Sequence, residues 1–109
     1  MSLAEEHCTP CETATGALPP EEISKYLETV PGWALLKDHR MLHLKLTFPD
    51  FATALAFVNR VGALAEAENH HPDITFGWGY VEIALFTHSV GGLTRNDFVL
   101  ATKIDALTH

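Results

Sequence analysis

Three imidazoles lie close together in this chain: His70 and His71 stand side by side before Pro72, and His88 follows a strand-length further on. They are three of the seven histidines in 109 residues, and all fall between Glu66 and Asp97. Imidazole is the side chain whose ordinary titration lies nearest neutral pH, so a cluster of it suits proton transfer, one ring giving a proton while another takes one, or metal binding. A histidine pair at a helix end also serves as a polar cap, so residue type by itself leaves these alternatives open.

The elements that must position these rings can be read from periodicity. Pro49 and Asp50 suit the first turn of a helix, and the Ala- and Leu-rich segment from Phe51 to about Glu68 continues it. Phe51, Leu55, Val58 and Gly62 mark one stripe and Ala54, Phe57, Val61 and Leu64 its neighbour, which predicts a wide apolar face against a sheet, with Gly62 permitting close approach. Pro72 disfavours helical geometry at His71, so the helix should end near Asn69 or His70, where its partial negative charge favours a protonated imidazole and supplies an acid. A short strand from Ile74 to Trp78 and a strongly alternating one from Tyr80 to His88 follow, with Gly77 and Gly79 allowing tight backbone between them. Val81, Ile83, Leu85 and Thr87 share one face of the second strand. Tyr80, Glu82, Ala84, Phe86 and His88 share the other, leaving His88 free to line a site. After a turn at Gly91-Gly92, Thr94-x-x-Asp97 reads as a capping box for a last helix with core positions Leu100, Ala101, Ile104 and Leu107, which is a sufficient structural role for Asp97.

Upstream, residues 1–18 lack apolar periodicity and predict a flexible N-terminal arm, leaving 19–109 as the folded domain. Ile23, Tyr26, Leu27 and Val30 form one face of a short helix that Pro31-Gly32 ends. Trp33 to Leu36 and Met41 to Phe48 read as a hairpin around a polar interruption at 37–40. In the second of these strands Leu42, Leu44, Leu46 and Phe48 face one way, and His43 faces the other as a solvated or interface residue. The order helix-strand-strand-helix-strand-strand-helix implies an α+β domain, a four-stranded, largely antiparallel sheet with helices packed on one face. The opposite sheet face offers Tyr80 and Phe86, and self-association would keep them from water.

Composition excludes several classes. A hydrophobic share of 47% with 19% charged residues fits one globular domain. No apolar run approaches the roughly 18 residues of a membrane span, and the acidic MSLAEEH start is unlike a targeting peptide, which points to the cytoplasm. A net charge of -7 without any Lys/Arg cluster argues against direct nucleic-acid binding. Cys8 and Cys11 form a C-x-x-C in the arm, where His7 is the one further local ligand, so a closed zinc site of about four ligands is poorly supported.

Taken together, Glu66-x3-His70-His71-Pro72-x5-Trp78-x9-His88-x8-Asp97 resembles the signature of the pterin-4a-carbinolamine dehydratases, and Pro31-Gly32-Trp33 resembles that family's entry to its first strand. The likeness spans about Leu18 to Leu107, with Asn69 standing where an acidic residue is often found. It implies a cofactor-free, metal-free dehydratase that converts 4a-hydroxytetrahydropterin to quinonoid dihydropterin and water, in tetrahydrobiopterin-type recycling. It further implies that His70, His71 and His88 surround the pterin, His70 and His88 as proton-transfer groups and His71 for binding and orientation. Asp97 would orient a histidine or the substrate, while Glu66 and Trp78 match the motif with either a binding or a structural role. A homodimer or homotetramer is expected. Because some family members act as dimerisation partners for transcription factors, the resemblance also admits a non-catalytic binding module on the same fold.

Overall fold

The computed structural model describes residues 18–36, 40–87 and 90–108. The predicted arm, with His7, Cys8 and Cys11, lies outside these residues except for Leu18, whose N–H donates to the Leu93 carbonyl at 2.8 Å. The elements run α1 (Pro20–Leu27), β1 (Ala34–Leu36), β2 (Met41–Thr47), α2 (Phe51–Glu68), β3 (Asp73–Gly77), β4 (Tyr80–Leu85) and α3 (Arg95–Leu107). This is the expected α+β order. The four strands form one antiparallel sheet ordered β1-β2-β4-β3. The chain passes from β2 through α2 to an edge strand and returns along β4 into the sheet, which places β4 in the interior beside β2.

Side-chain alternation explains which face is covered. Leu42 and Leu44 of β2 and Val81, Ile83 and Leu85 of β4 point inward and are buried, joined by Ala54, Phe57 and Val61 of α2, Phe98, Leu100, Ala101 and Ile104 of α3, and Ile23 of α1. The opposite face, with Tyr80, Glu82, Ala84 and Phe86 half-buried, carries no helix among the described residues. On it His43 Nε2 lies 3.2 Å from Glu82 Oε1 across the β2–β4 pairing.

The helices begin and end for local reasons. Asp50, extended and just outside the first turn of α2, caps it by accepting from the Thr53 N–H at 2.8 Å. At the other end Asn69 adopts a left-handed conformation, φ 53° and ψ 40°, and its N–H returns to the carbonyls of Ala65 and Glu66. Pro72 then prevents the helix from resuming. Of the two predicted stripes on α2, the one through Ala54, Phe57 and Val61 is buried, whereas in the other Val58 is half-buried against the core, Phe51 and Leu55 are exposed at 45% and 38%, and a Cβ at Gly62 would meet no described atom within 4 Å beyond its own helix. The packed face is therefore narrower than the sequence pattern, because the sheet meets only one side of the helix. In α3 the run Asn96 to Ala101 is buried without a break, and Phe98, Leu100 and Ala101 of it join the core cluster. Phe98 stacks on Tyr26 of α1 at 5.2 Å between ring centroids, and Trp33 Nε1 donates to Asp105 Oδ1 at 2.9 Å, tying the entry of β1 to the end of α3. Among the described residues no helix is long and apolar enough to cross a membrane.

Candidate active site

His70 follows directly on the left-handed turn at Asn69. That turn folds the chain back over the last carbonyls of α2, and the His70 N–H donates to the Ala65 carbonyl at 3.2 Å. Its ring is thereby carried inward rather than into water, and the residue is 7% exposed. There Nε2 lies 2.6 Å from Oδ1 of Asp97, a residue with no solvent exposure in the first turn of α3. The site thus joins two helix ends of opposite polarity.

The second oxygen of Asp97 is occupied separately. Oδ2 accepts from the Thr94 N–H at 2.9 Å, closing the capping box that the sequence predicted, and from the Thr87 hydroxyl, also at 2.9 Å. Thr87 Oγ1 lies a further 2.9 Å from Thr94 Oγ1. Because an ionised carboxylate only accepts, Thr87 gives its one proton to Asp97, and Thr94 must then donate to Thr87. By the same rule the His70 nitrogen that meets ionised Asp97 carries hydrogen, which leaves Nδ1 as the ring nitrogen able to accept a proton.

His71 is placed differently. Its side chain is 54% exposed, and Nε2 lies 2.5 Å from Oε2 of Glu66, itself 77% exposed on the last turn of α2. Both adjacent histidines therefore engage a carboxylate through Nε2, one buried and one in solvent. The exposed pair holds its geometry far less firmly, because water and salt screen it.

Of the six candidate residues, the fold brings His70 to Asp97 and His71 to Glu66. Trp78 sits just past the opposite end of β3, five residues and about 16 Å along the strand from Asp73. It occupies the β3–β4 turn with Gly79 at φ 82° and is 72% exposed, so among the described residues the indole stands outside the core and away from His70 and His71. His88 lies outside the described residues; its chain neighbour Thr87 is the last described residue before it. The alternating run read from Tyr80 to His88 is shorter as a strand, since β4 ends at Leu85 and Thr87 pairs only with Gly92 in an isolated bridge beyond it; the sequence puts Thr87 on the buried face without a role. The signal was present, since a hydroxyl at a position otherwise occupied by Val81, Ile83 and Leu85 demands a polar partner.

Known proteins resemble the chain over most of its length. Residues 16–107 match the profile of the family described as Pterin 4 alpha carbinolamine dehydratase. A protein of Rubrobacter xylanophilus is 50% identical over 105 residues, covering 96% of this chain and 97% of its own. One of Halorhodospira halophila is 46% identical over 107 residues, covering 98% of each. Both carry pterin-4-alpha-carbinolamine dehydratase as a provisional name. The crystal structure of a transcriptional coactivator/pterin dehydratase from Brucella melitensis superposes with a TM-score of 0.81 at 29% identity, over 86% of this chain and all of that one. A pterin dehydratase-like protein described as a RuBisCO assembly factor in the alpha-carboxysome superposes with a TM-score of 0.61 at 31% identity, over 70% of this chain and 88% of that one. By its profile match, its relatives and its fold, the chain belongs to the pterin-4-alpha-carbinolamine dehydratase family.

Proposed function

We propose that the protein is a dehydratase acting on 4a-hydroxytetrahydropterin, without a cofactor and in the cytoplasm. The observation that carries this reading is the buried His70–Asp97 pair, at 2.6 Å, in a chain of this family. Dehydration breaks the C4a–O bond and forms the C4a=N5 bond of the quinonoid product. The leaving hydroxyl takes up one proton and departs as water, and N5 gives one up, so no net proton is consumed. One group must act as acid and another as base. His70, with Nε2–H held by Asp97, has Nδ1 available to take the N5 proton. His88 is the second proton-transfer group in this proposal and supplies the proton to oxygen. His71, tied to Glu66 at the solvent edge, binds and orients the pterin. The test is stopped-flow absorbance of 4a-hydroxytetrahydropterin with purified protein and a chelator present. Accelerated loss of the carbinolamine signal supports the reading, and an uncatalysed rate ends it.

A second reading is supported by the names of the two solved relatives, one a coactivator/dehydratase and the other an assembly factor. It makes the fold an association module, resting on the uncovered sheet face with its half-buried Tyr80, Ala84 and Phe86. The two readings separate in one experiment. Replacing His70, His71 and His88 together abolishes acceleration under the first while leaving self-association intact, and changes nothing under the second.

A further inference from the structure

Thr87 is a polar residue at a core position, 2% exposed, and neither its turn nor the following helix requires its hydroxyl. The turn is closed by backbone alone: the Thr87 N–H donates to the Gly92 carbonyl at 2.9 Å and the Gly92 N–H returns to the Thr87 carbonyl at 3.4 Å. The cap of α3 is made by the Thr94 N–H on Asp97. Valine has nearly the same shape as threonine and would match its neighbours on the inward face of β4. The hydroxyl instead spends its hydrogen bonds on Asp97 Oδ2 and Thr94 Oγ1, each at 2.9 Å.

A carboxylate with a single donor on one oxygen can rotate about its Cβ–Cγ bond. With two donors on Oδ2 from different directions, one from the start of α3 and one from the bridge residue that follows β4, the plane is held and Oδ1 is left to face His70. We infer that Thr87 is a positioning residue, whose hydroxyl, polarised by Thr94, holds Asp97 so that His70 is kept as the Nε2–H tautomer with Nδ1 as its proton-accepting atom. It touches no substrate; it acts through Asp97. Its loss would be felt in proton transfer rather than in pterin binding.

For its kinetic arm this assignment rests on the dehydratase reading; its magnetic-resonance arm does not. Thr87→Val and Thr87→Ser are compared with wild type by stopped flow and by ¹⁵N resonances of the His70 ring. The Val variant should lower kcat about 10-fold, the low end for losing a residue that orients a functional side chain, with KM within about twofold. Its ring nitrogens should shift toward a tautomer mixture. The Ser variant, which keeps the hydroxyl, should recover kcat to within about threefold with wild-type ring resonances. A Val variant with unchanged kcat or unchanged ring resonances overturns the assignment, as does a Ser variant no better than Val. Should the Val protein fail to fold, Thr87→Ala read by the same ring resonances decides: a shift toward a tautomer mixture supports the assignment, and wild-type resonances overturn it. If wild type has no turnover, the dehydratase reading fails while the ring resonances still decide the role of Thr87.

Discussion

His70 and Asp97 are 27 residues apart in sequence, yet Nε2 of one lies 2.6 Å from Oδ1 of the other, across the gap between the end of α2 and the start of α3. Neither side chain could hold this geometry from its own helix. The pairing requires that the left-handed turn at Asn69 and the capping box at Thr94 be built at the same place.

The first prediction concerns the division of labour between adjacent histidines. His70→Ala should lower kcat roughly 10²-fold, the low end for removing one general acid or base. His71→Ala should mainly raise KM, because a residue that binds ground and transition state alike contributes little to turnover. Steady-state kinetics on the carbinolamine, with circular dichroism as a control for folding, separates the two. Equal loss of kcat in both variants would refute the division.

Asp97→Asn keeps the shape of the buried carboxylate but allows the wrong His70 tautomer, and should cost about 10²-fold or more in kcat. Asp97→Ala should add a stability defect, since the Thr94 N–H and the Thr87 hydroxyl both lose their acceptor, at about 1–3 kcal/mol for each buried group left unpaired. Urea titration of the two variants checks this. Asn should remain near wild type while Ala moves to a clearly lower midpoint.

At Asp50 the Thr53 N–H, and secondarily the Thr53 hydroxyl, hold the carboxyl below its ordinary value of 3.8. A carboxyl depressed in the folded state contributes stability above 3.8, and that contribution is lost as pH falls through the lower folded value. Melting curves from neutral pH down to about pH 2 should therefore show a smaller acid-induced drop in Tm for Asp50→Asn than for wild type. Parallel curves would show that the cap carries no pH-dependent stability.

Among the described residues, the outer sheet face without a helix over it and the exposed Phe51 and Leu55 of α2 present apolar surface for a second chain to cover. Sedimentation at micromolar concentration should show at least a dimer. A clean monomer would remove self-association from the proposal.

The N-terminal arm is expected to be dispensable. Removing residues 1–17, or changing Cys8 and Cys11 to Ser, should leave both folding and dehydration nearly intact. Loss of folding on chelation of the full chain would instead make the C-x-x-C a structural metal site.

Whatever depends on neighbours along the chain was decided by the sequence itself. The alternation of β2 and β4, the extent of α2, its end before Pro72 and the capping box at Thr94 are each set within a few residues, because side-chain period, a proline's steric demand and a cap act locally. The family motif was legible for the same reason, as spacing. What the local pattern could not decide was which surfaces meet. It marked both apolar stripes of α2 as equally able to pack, and only the position of the sheet selected the one through Ala54, Phe57 and Val61. It placed Trp78 in a strand, whereas the turn of the hairpin holds it 72% exposed. It assigned Asp97 a cap and His70 a helix end without joining them, and it put Thr87 in the core without a partner. Those contacts come from packing α3 against the end of α2 and the exit of β4. That packing is a long-range event driven by burial of Phe98, Leu100 and Ile104, and only the assembled core fixes its register.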